Sequence, residues 1–213
     1  ETPETAAELE LMKGFPPPAD KRVDATNWLL SPFNRWSYQN IRRVLPTGPL
    51  NNGEGPAIPW PTELQNLDEL SVEESASLTK LMETYLTDAI VVIHRGELVY
   101  ERYWNGMTPQ SPHWLASVSK SVIGTAAAVL VERGTLDRDA LVKDILPELT
   151  ESGFGDATVG QVLDMSAGTA WDESMEAFLD PESPARKYAS AAGTWQTPGM
   201  QSAGVASFLP TIE

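Results

Sequence analysis

A serine and a lysine three residues apart, Ser117 and Lys120, stand at the start of the strongest helical pattern in the chain. Positions i and i+3 lie on one face of a helix, so the lysine ammonium can reach the serine hydroxyl. The free N–H groups and the dipole at a helix start help to stabilise an oxyanion and favour a neutral lysine. A neutral lysine can accept the serine proton, and the pair therefore predicts a nucleophile for acyl transfer that needs no histidine.

The same spacing occurs a second time, at Ser77 and Lys80. A serine and a lysine three residues apart are expected about once by chance in a chain of this length, so the spacing alone does not define a site. The sequence places Ser77 inside an amphipathic helix rather than at its start. We therefore interpret this second pair as part of a solvated helix face.

Two helices should carry these serines. Ser71 and Glu74 match a helix start, in which a hydroxyl caps the first turn and a glutamate follows three residues later, and apolar residues continue at helical spacing as far as Tyr85. Residues 117–133 form a longer helix with a broad apolar face. Gly134 supplies the left-handed residue that commonly follows a helix end.

Strands are predicted between these two helices. A β-branched run at 90–93 and a second apolar run at 98–100 flank the turn residues Arg95 and Gly96, which predicts a β-hairpin with at least one well-buried strand. A further helical stretch is expected at 159–165.

Composition removes several classes of function. The chain has 213 residues, of which 41% are hydrophobic and seven are tryptophan, so a wholly disordered chain is excluded. The formal charge of −15 repels phosphate backbones and argues against nucleic-acid binding. Cysteine is absent and there are only two histidines, which excludes disulfides, thiolate sites and a histidine-rich metal centre. No apolar run approaches the roughly 18 residues of a membrane span.

Proline divides the chain. Ten of its 17 prolines fall within the first 61 residues, where they disfavour long helices and central strands. Aromatic residues such as Trp28, Trp36 and Tyr38 recur in the same region and predict that it is docked on a folded body. We therefore expect a proline-rich arm at 1–62 and the body of the domain at 63–213.

The order of these segments resembles that of the serine β-lactamase and penicillin-binding-protein superfamily. In that superfamily a Ser-x-x-Lys helix follows a β-hairpin and precedes a Leu-Pro-Glu loop and a Ser-Gly turn. The branch of 6-aminohexanoate-dimer hydrolases and related carboxylesterases is the most similar. The segments that carry the resemblance are Asn34–Trp36, Ser117–Ser121, Ile145–Leu149 and Val162–Gly168. The resemblance implies an α+β fold, in which an antiparallel sheet packs with a helical lobe.

The resemblance also implies roles for individual residues. Ser117 would form the acyl-enzyme and Lys120 would be its general base, with no metal or cofactor. The family adds a tyrosine as proton relay and a later strand that supplies an oxyanion donor. Tyr38-Gln39-Asn40 has a suitable pattern but precedes the nucleophile, and Tyr188 lacks the accompanying asparagine, so we assign neither this role.

The resemblance covers the N-terminal part of the family domain. The last three strands of its sheet have no counterpart among the 213 residues, and a hairpin with a helical lobe would leave a strand edge and apolar surface exposed. We therefore expect a companion segment or chain that completes the sheet and the site.

Relatives in this branch carry a substrate-facing tyrosine shortly after the turn that contains Trp171. Met175 or Phe178 would take that place here, and Trp171 would also contact substrate. An apolar wall of this kind favours a substrate with an apolar acyl or amine group.

The expected activity is hydrolysis of an amide or ester bond in a small molecule. The same machinery suits a β-lactamase or a D-alanyl carboxypeptidase, a non-catalytic module that holds an acyl ligand, or an inactive fragment. Absence of cysteine fits a periplasmic or secreted bacterial protein, with the cytoplasm as the alternative.

Overall fold

The computed structural model describes residues 4–50, 53–73, 76–195 and 202–213. The chain forms two compact units, Glu1–Trp114 and Leu115–Glu213. The predicted arm at 1–62 and body at 63–213 do not coincide with these units, and that division stays a prediction.

The first unit is built on a two-stranded hairpin. Strand β3 (Ala89–His94) pairs antiparallel with β4 (Glu97–Tyr103), with an irregularity after Val92. Arg95 and Gly96 both have positive φ, the backbone that a two-residue hairpin turn requires. The predicted hairpin is confirmed. Strand β4 is its better-buried member, because Val99 and Tyr100 belong to the core.

The predicted start of the preceding helix is wrong. Ser71 begins a short strand, β1 (Ser71–Glu73), which pairs with β2 (Ala76–Ser77). Helix α2 then runs over Leu78–Thr84. The Leu78 N–H donates to the Leu70 carbonyl at 2.8 Å, so pairing within 70–78 prevails over a helix capped at Ser71.

Some residues before position 62 contact the segments that flank the hairpin in the same unit. Short helix α1 (Asn34–Ser37) brings Arg35 to Asp88, and the pair is 2.9 Å apart and almost fully buried. The Trp28 ring is 1% exposed and meets the ring of Trp114 at 4.9 Å. Residues 61–65 lie along the outer edge of β4, where backbone hydrogen bonds join them to Leu98 and Val99.

The second unit is helical. Helix α5 begins with a capping box, in which Thr158 and Gln161 satisfy each other's backbone N–H groups. The backbone carbonyls of Ile212 and Glu213 accept from Gly153 and Ala170, which ties residues near 212 to the rest of the unit. Its α-helices are α3 (Val118–Glu132), α4 (Val142–Ile145), α5 (Val159–Leu163), α6 (Met175–Leu179), α7 (Pro184–Ala191) and α8 (Val205–Phe208).

Helix α3 confirms the predicted long helix, but its apolar face is not buried. Val118, Val122 and Ile123 are each 59–67% exposed. Amphipathic helices of globular proteins normally bury such a face. In the part of the chain that the structure describes, no helix has the length and apolarity needed to cross a membrane.

Candidate active site

Ser117 and Lys120 are joined by a direct hydrogen bond. The Lys120 ammonium nitrogen, Nζ, lies 2.9 Å from the Ser117 Oγ, within the range of a good hydrogen bond. Ser117 is the residue that precedes the first turn of α3, and its side chain makes no capping bond to the helix backbone. The hydroxyl is therefore left for the lysine.

The backbone around Ser117 makes a sharp entry into α3. Ala116 has φ of 46°, in the left-handed region that residues other than glycine seldom adopt. Ser117 itself is already helical, with φ −68° and ψ −11°. The Val118 and Ser119 N–H groups donate to Leu115 and Ala116. The Ser117 N–H has no acceptor among the described residues, so it can donate a hydrogen bond to a substrate.

Both members of the pair are exposed to solvent, as are Ala116 and Val118. Catalytic sites hold their reacting groups in water-excluded surroundings, where oriented dipoles act more strongly than in water. The described residues thus form no enclosing wall around the hydrogen-bonded pair.

The candidate substrate wall lies on and before α6. The Trp171 indole donates to Glu173 at 3.0 Å, and its ring meets the edge of Tyr188 at 5.8 Å. Met175 is 64% exposed at the first position of α6, and Phe178 is half-buried. No hydrogen bond or ring contact among residues 76–195 and 202–213 joins this group to Ser117 or Lys120.

Other polar candidates are occupied locally. The Asp172 carboxylate accepts from the backbone N–H and hydroxyl of Ser174, and Glu173 accepts from Trp171, so this acidic pair is engaged within its own turn. Tyr38 belongs to an aromatic cluster with Trp28 and Trp114, a packing role. The described residues contain no group of three or more His, Cys, Asp or Glu that could hold a metal ion.

One buried polar centre was not predicted. The Asp88 carboxylate is 7% exposed and accepts from Arg35, Gln39, Asn105 and His113 at 2.9–3.3 Å. Buried charges persist when they are paired and hydrogen-bonded in this way. The sequence does not indicate this centre, because Asp88 is a single aspartate ahead of a β-branched run and three of its partners lie 25–53 positions away.

Comparison with known proteins places the chain in a family. The beta-lactamase family model matches residues 76–203, which is more than half of the chain. The chain belongs to the beta-lactamase family, and the predicted family and fold class are confirmed.

Two individual proteins are similar to the chain. Over 183 residues the chain is 32% identical to a 6-aminohexanoate-dimer hydrolase of Paenarthrobacter ureafaciens, a match that covers 86% of the chain and 45% of that protein. A solved structure from Bacillus anthracis, described as a candidate 6-aminohexanoate-dimer hydrolase, superimposes with a TM-score of 0.79 at 28% identity. That match covers 92% of this chain and 52% of the other. The chain thus resembles hydrolases and spans about half of their length.

Proposed function

We propose that the protein hydrolyses an amide or ester bond through an acyl-enzyme on Ser117, with Lys120 as general base. The observation that carries the proposal is the 2.9 Å hydrogen bond between Lys120 Nζ and Ser117 Oγ at the start of α3. A base within hydrogen-bond reach of a hydroxyl is the basic requirement for activating a serine nucleophile.

The reaction begins when the Lys120 amine takes the Ser117 proton and Oγ attacks the substrate carbonyl carbon. The Ser117 N–H, which has no acceptor in the described chain, donates to the oxyanion. Collapse of the tetrahedral intermediate breaks the bond to the amine or alcohol, which leaves with the proton held by Lys120. Water then attacks the acyl carbon and Lys120 takes its proton. As the bond between the acyl carbon and Oγ breaks, Lys120 passes that proton to Oγ, which regenerates Ser117 and releases the carboxylic acid.

We propose that a companion segment or chain completes this site. It would supply the proton-relay tyrosine and the second oxyanion donor. Three observations support it: the apolar face of α3 is exposed, the edge of β3 opposite β4 is unpaired among the described strands, and the relatives are about twice as long. An exposed strand edge of this kind readily accepts another strand.

For the substrate we propose a small amide or ester with an apolar acyl or amine group. The relative from Paenarthrobacter ureafaciens is named for a dimer of 6-aminohexanoate, which supports an amide. Trp171, Met175 and Phe178 would contact the apolar group, as the exposure of Met175 supports. We further propose a docked arm at 1–62 and a periplasmic or secreted location, which a chain without cysteine would tolerate.

The test is a denaturing intact-mass spectrum of the full-length protein after brief exposure to a p-nitrophenyl acyl ester. We expect one acyl group, mapped to Ser117, together with continued release of p-nitrophenol. Ser119→Ala, on the same helix, is the control and should behave as wild type. One acyl group without further release would favour a non-catalytic acyl-binding module. Labelling that survives Ser117→Ala would refute the assignment.

A further inference from the structure

The second unit contains an apolar cavity that opens to solvent. Its volume is about 330 Å³, about twice that of an apolar cavity of about 150 Å³ that holds one benzene molecule. All ten residues that line it are apolar. Leu149 in its wall is 5% exposed, whereas Ile145, Leu146 and Val162 are 38–48% exposed and form the rim. The cavity has room for about two large apolar side chains, and its own side chains offer no partner to a polar group.

The exposed apolar face of α3 adjoins this cavity. Val122 and Leu130 on that face are 61% and 41% exposed. The Leu130 carbonyl accepts from the Leu136 N–H at 3.2 Å, and Leu136 lines the cavity. The apolar surface therefore continues from α3 to the rim of the cavity. Contiguous exposed apolar surface with polar residues around it marks an interaction site.

Acidic side chains flank the opening of the cavity. Asp144 and Glu148 lie on either side of rim residues 145–146 in the sequence, and both are exposed. Neither has an ion-pair partner among the described residues. The cation of the same helix, Lys143, is already paired with Asp156 at 2.5 Å. The charge at the opening is therefore negative and favours cationic side chains on whatever covers it.

The occupant has to satisfy its own backbone. Residues 115–195 and 202–213 form no strand, so an extended segment on this surface would leave its N–H and C=O groups unpaired against apolar side chains. A helix satisfies these groups internally and presents apolar side chains one turn apart. A second copy of this chain is disfavoured, because its net charge is also −15. The relatives do extend beyond the match, which covers 45% and 52% of them.

We propose that the companion segment or chain docks on this surface through an amphipathic helix with a basic edge. Two of its apolar side chains, one turn apart, would fill the cavity. Lysine or arginine side chains beside them would pair with Asp144 and Glu148, and the same helix would cover part of the exposed face of α3. This proposal rests on the companion proposed above and adds where that companion docks and the chemistry of its docking surface.

Single cysteines test the docking, because the 213 residues contain none. Ile145→Cys and Val162→Cys are placed at the rim of full-length protein that also carries Ser117→Ala, so the result is independent of turnover. We expect maleimide to label both at least about tenfold more slowly than Glu182→Cys, which replaces an exposed side chain of the same unit, and all three to react alike in urea. Peptide mapping assigns each label.

The outcomes separate this proposal from the existence of a companion. Labelling of both rim positions as fast as the control would overturn the proposal. If Val91→Cys on β3 were protected in the same experiment, a companion would be present but docked elsewhere. If Val91→Cys were also labelled rapidly, the companion itself would be contradicted. Protection found only in dimers of the full-length protein, identified by native mass, would indicate a second copy and would also overturn the proposal.

Charge reversal tests the basic edge of the helix. Asp144→Lys combined with Glu148→Lys places like charges together, and we expect labelling of Val162→Cys to become several-fold faster. Val162 is chosen because it lies away from the new lysines in the sequence. Glu176→Lys combined with Glu182→Lys makes the same change of charge elsewhere in the unit and should leave the rate unchanged. An unchanged rate after reversal at the rim would contradict the basic edge and overturn the proposal.

Discussion

Two serine–lysine pairs with identical spacing have opposite geometries in this chain. At Ser117 the lysine side chain donates to the hydroxyl, with Nζ 2.9 Å from Oγ. At Ser77 the hydroxyl instead accepts from the backbone N–H of Lys80 at 3.3 Å and caps α2. One hydroxyl is available for chemistry and the other is used to begin a helix.

The backbone explains the difference. Ser77 is extended, with ψ of 157°, which is the usual conformation of a capping residue and aims its side chain at the first turn. Ser117 has ψ of −11° and is already helical, and Ala116 before it takes the left-handed turn. A Ser-x-x-Lys pattern therefore gains its meaning from the conformation of its serine. Spacing alone does not distinguish a nucleophile from a cap.

The largest expected effect that separates the pairs is on turnover. Ser117→Ala removes the proposed nucleophile, and we expect hydrolysis of a p-nitrophenyl ester to fall by about 10³-fold or more. Ser77→Ala should retain turnover under conditions where it is folded. Turnover is measured from p-nitrophenol release with full-length protein. A comparable loss in both variants would mean that the two serines do not differ in function.

The next largest effect on turnover should separate the two lysines. Lys120→Ala removes the proposed base, and a loss of about 10²–10⁴-fold in turnover is expected. Lys120→Arg should be similarly impaired, because arginine keeps the charge but does not give up its proton. Turnover is followed with the same ester, and Lys80→Ala is the matched control. Substantial activity in Lys120→Arg would show that the side chain acts through its charge rather than as a base.

The two serine variants should rank in the opposite order when stability is measured instead of turnover. Ser77→Ala deletes a helix cap, and we expect the free energy of unfolding to fall by about 1 kcal/mol. Ser117→Ala deletes no capping bond and should stay within about 0.5 kcal/mol of wild type. Denaturant unfolding of the full-length protein measures both. The interpretation of the backbone fails if Ser117→Ala is the less stable variant.

The sequence predicts the type of each helix here better than its boundary. Apolar spacing correctly indicates α2. The Ser71–Glu74 pattern suggests a cap six residues too early, because pairing of β1 with β2 takes up Ser71. Ser77, interpreted from the sequence as lying within the helix, is in fact its cap. Local patterns do not show which backbone groups a neighbouring strand will satisfy.

The candidate site is predictable to a similar extent. Helical spacing is sufficient to bring Lys120 to Ser117, since both lie on one turn. The left-handed backbone of Ala116 is not predictable, because alanine has no preference for it. The Asp88 centre depends on partners distant in the chain, such as Arg35 and Gln39, and only the folded unit brings them together.

Asp68, whose backbone carbonyl closes the start of α2, also carries a pH-sensitive carboxylate that pairs with β4. The Thr79 N–H donates to the Asp68 carbonyl at 3.1 Å. The Asp68 carboxylate accepts from the Tyr100 hydroxyl at 2.7 Å and pairs with Arg102 at 2.7 Å. These two donors hold the pKa of Asp68 below its usual value, the Tyr100 hydrogen bond being the larger cause. The carboxylate form thus stabilises the folded unit.

The smallest effect we expect follows from this contact. Because the pKa is lower in the folded state, stabilisation by Asp68 is present above the usual carboxyl range, near about pH 4, and is lost as pH falls through the lowered value. Hydrogen-exchange protection of Leu78–Thr84, corrected for intrinsic rates, should therefore fall over that range. Asp68→Asn should flatten the dependence.

Helix α3 is the internal control for this measurement. Its first turn is closed by backbone carbonyls of residues 115–117, none of which carries a carboxylate, so its protection should change less over the same range. Equal loss in both helices would indicate general acid unfolding rather than a local contact. Selective loss of protection at α2 would show that the two helix starts differ in more than their serine hydroxyls. Side chains stabilise the start of α2, whereas α3 begins with a serine whose hydroxyl and N–H remain available to a substrate.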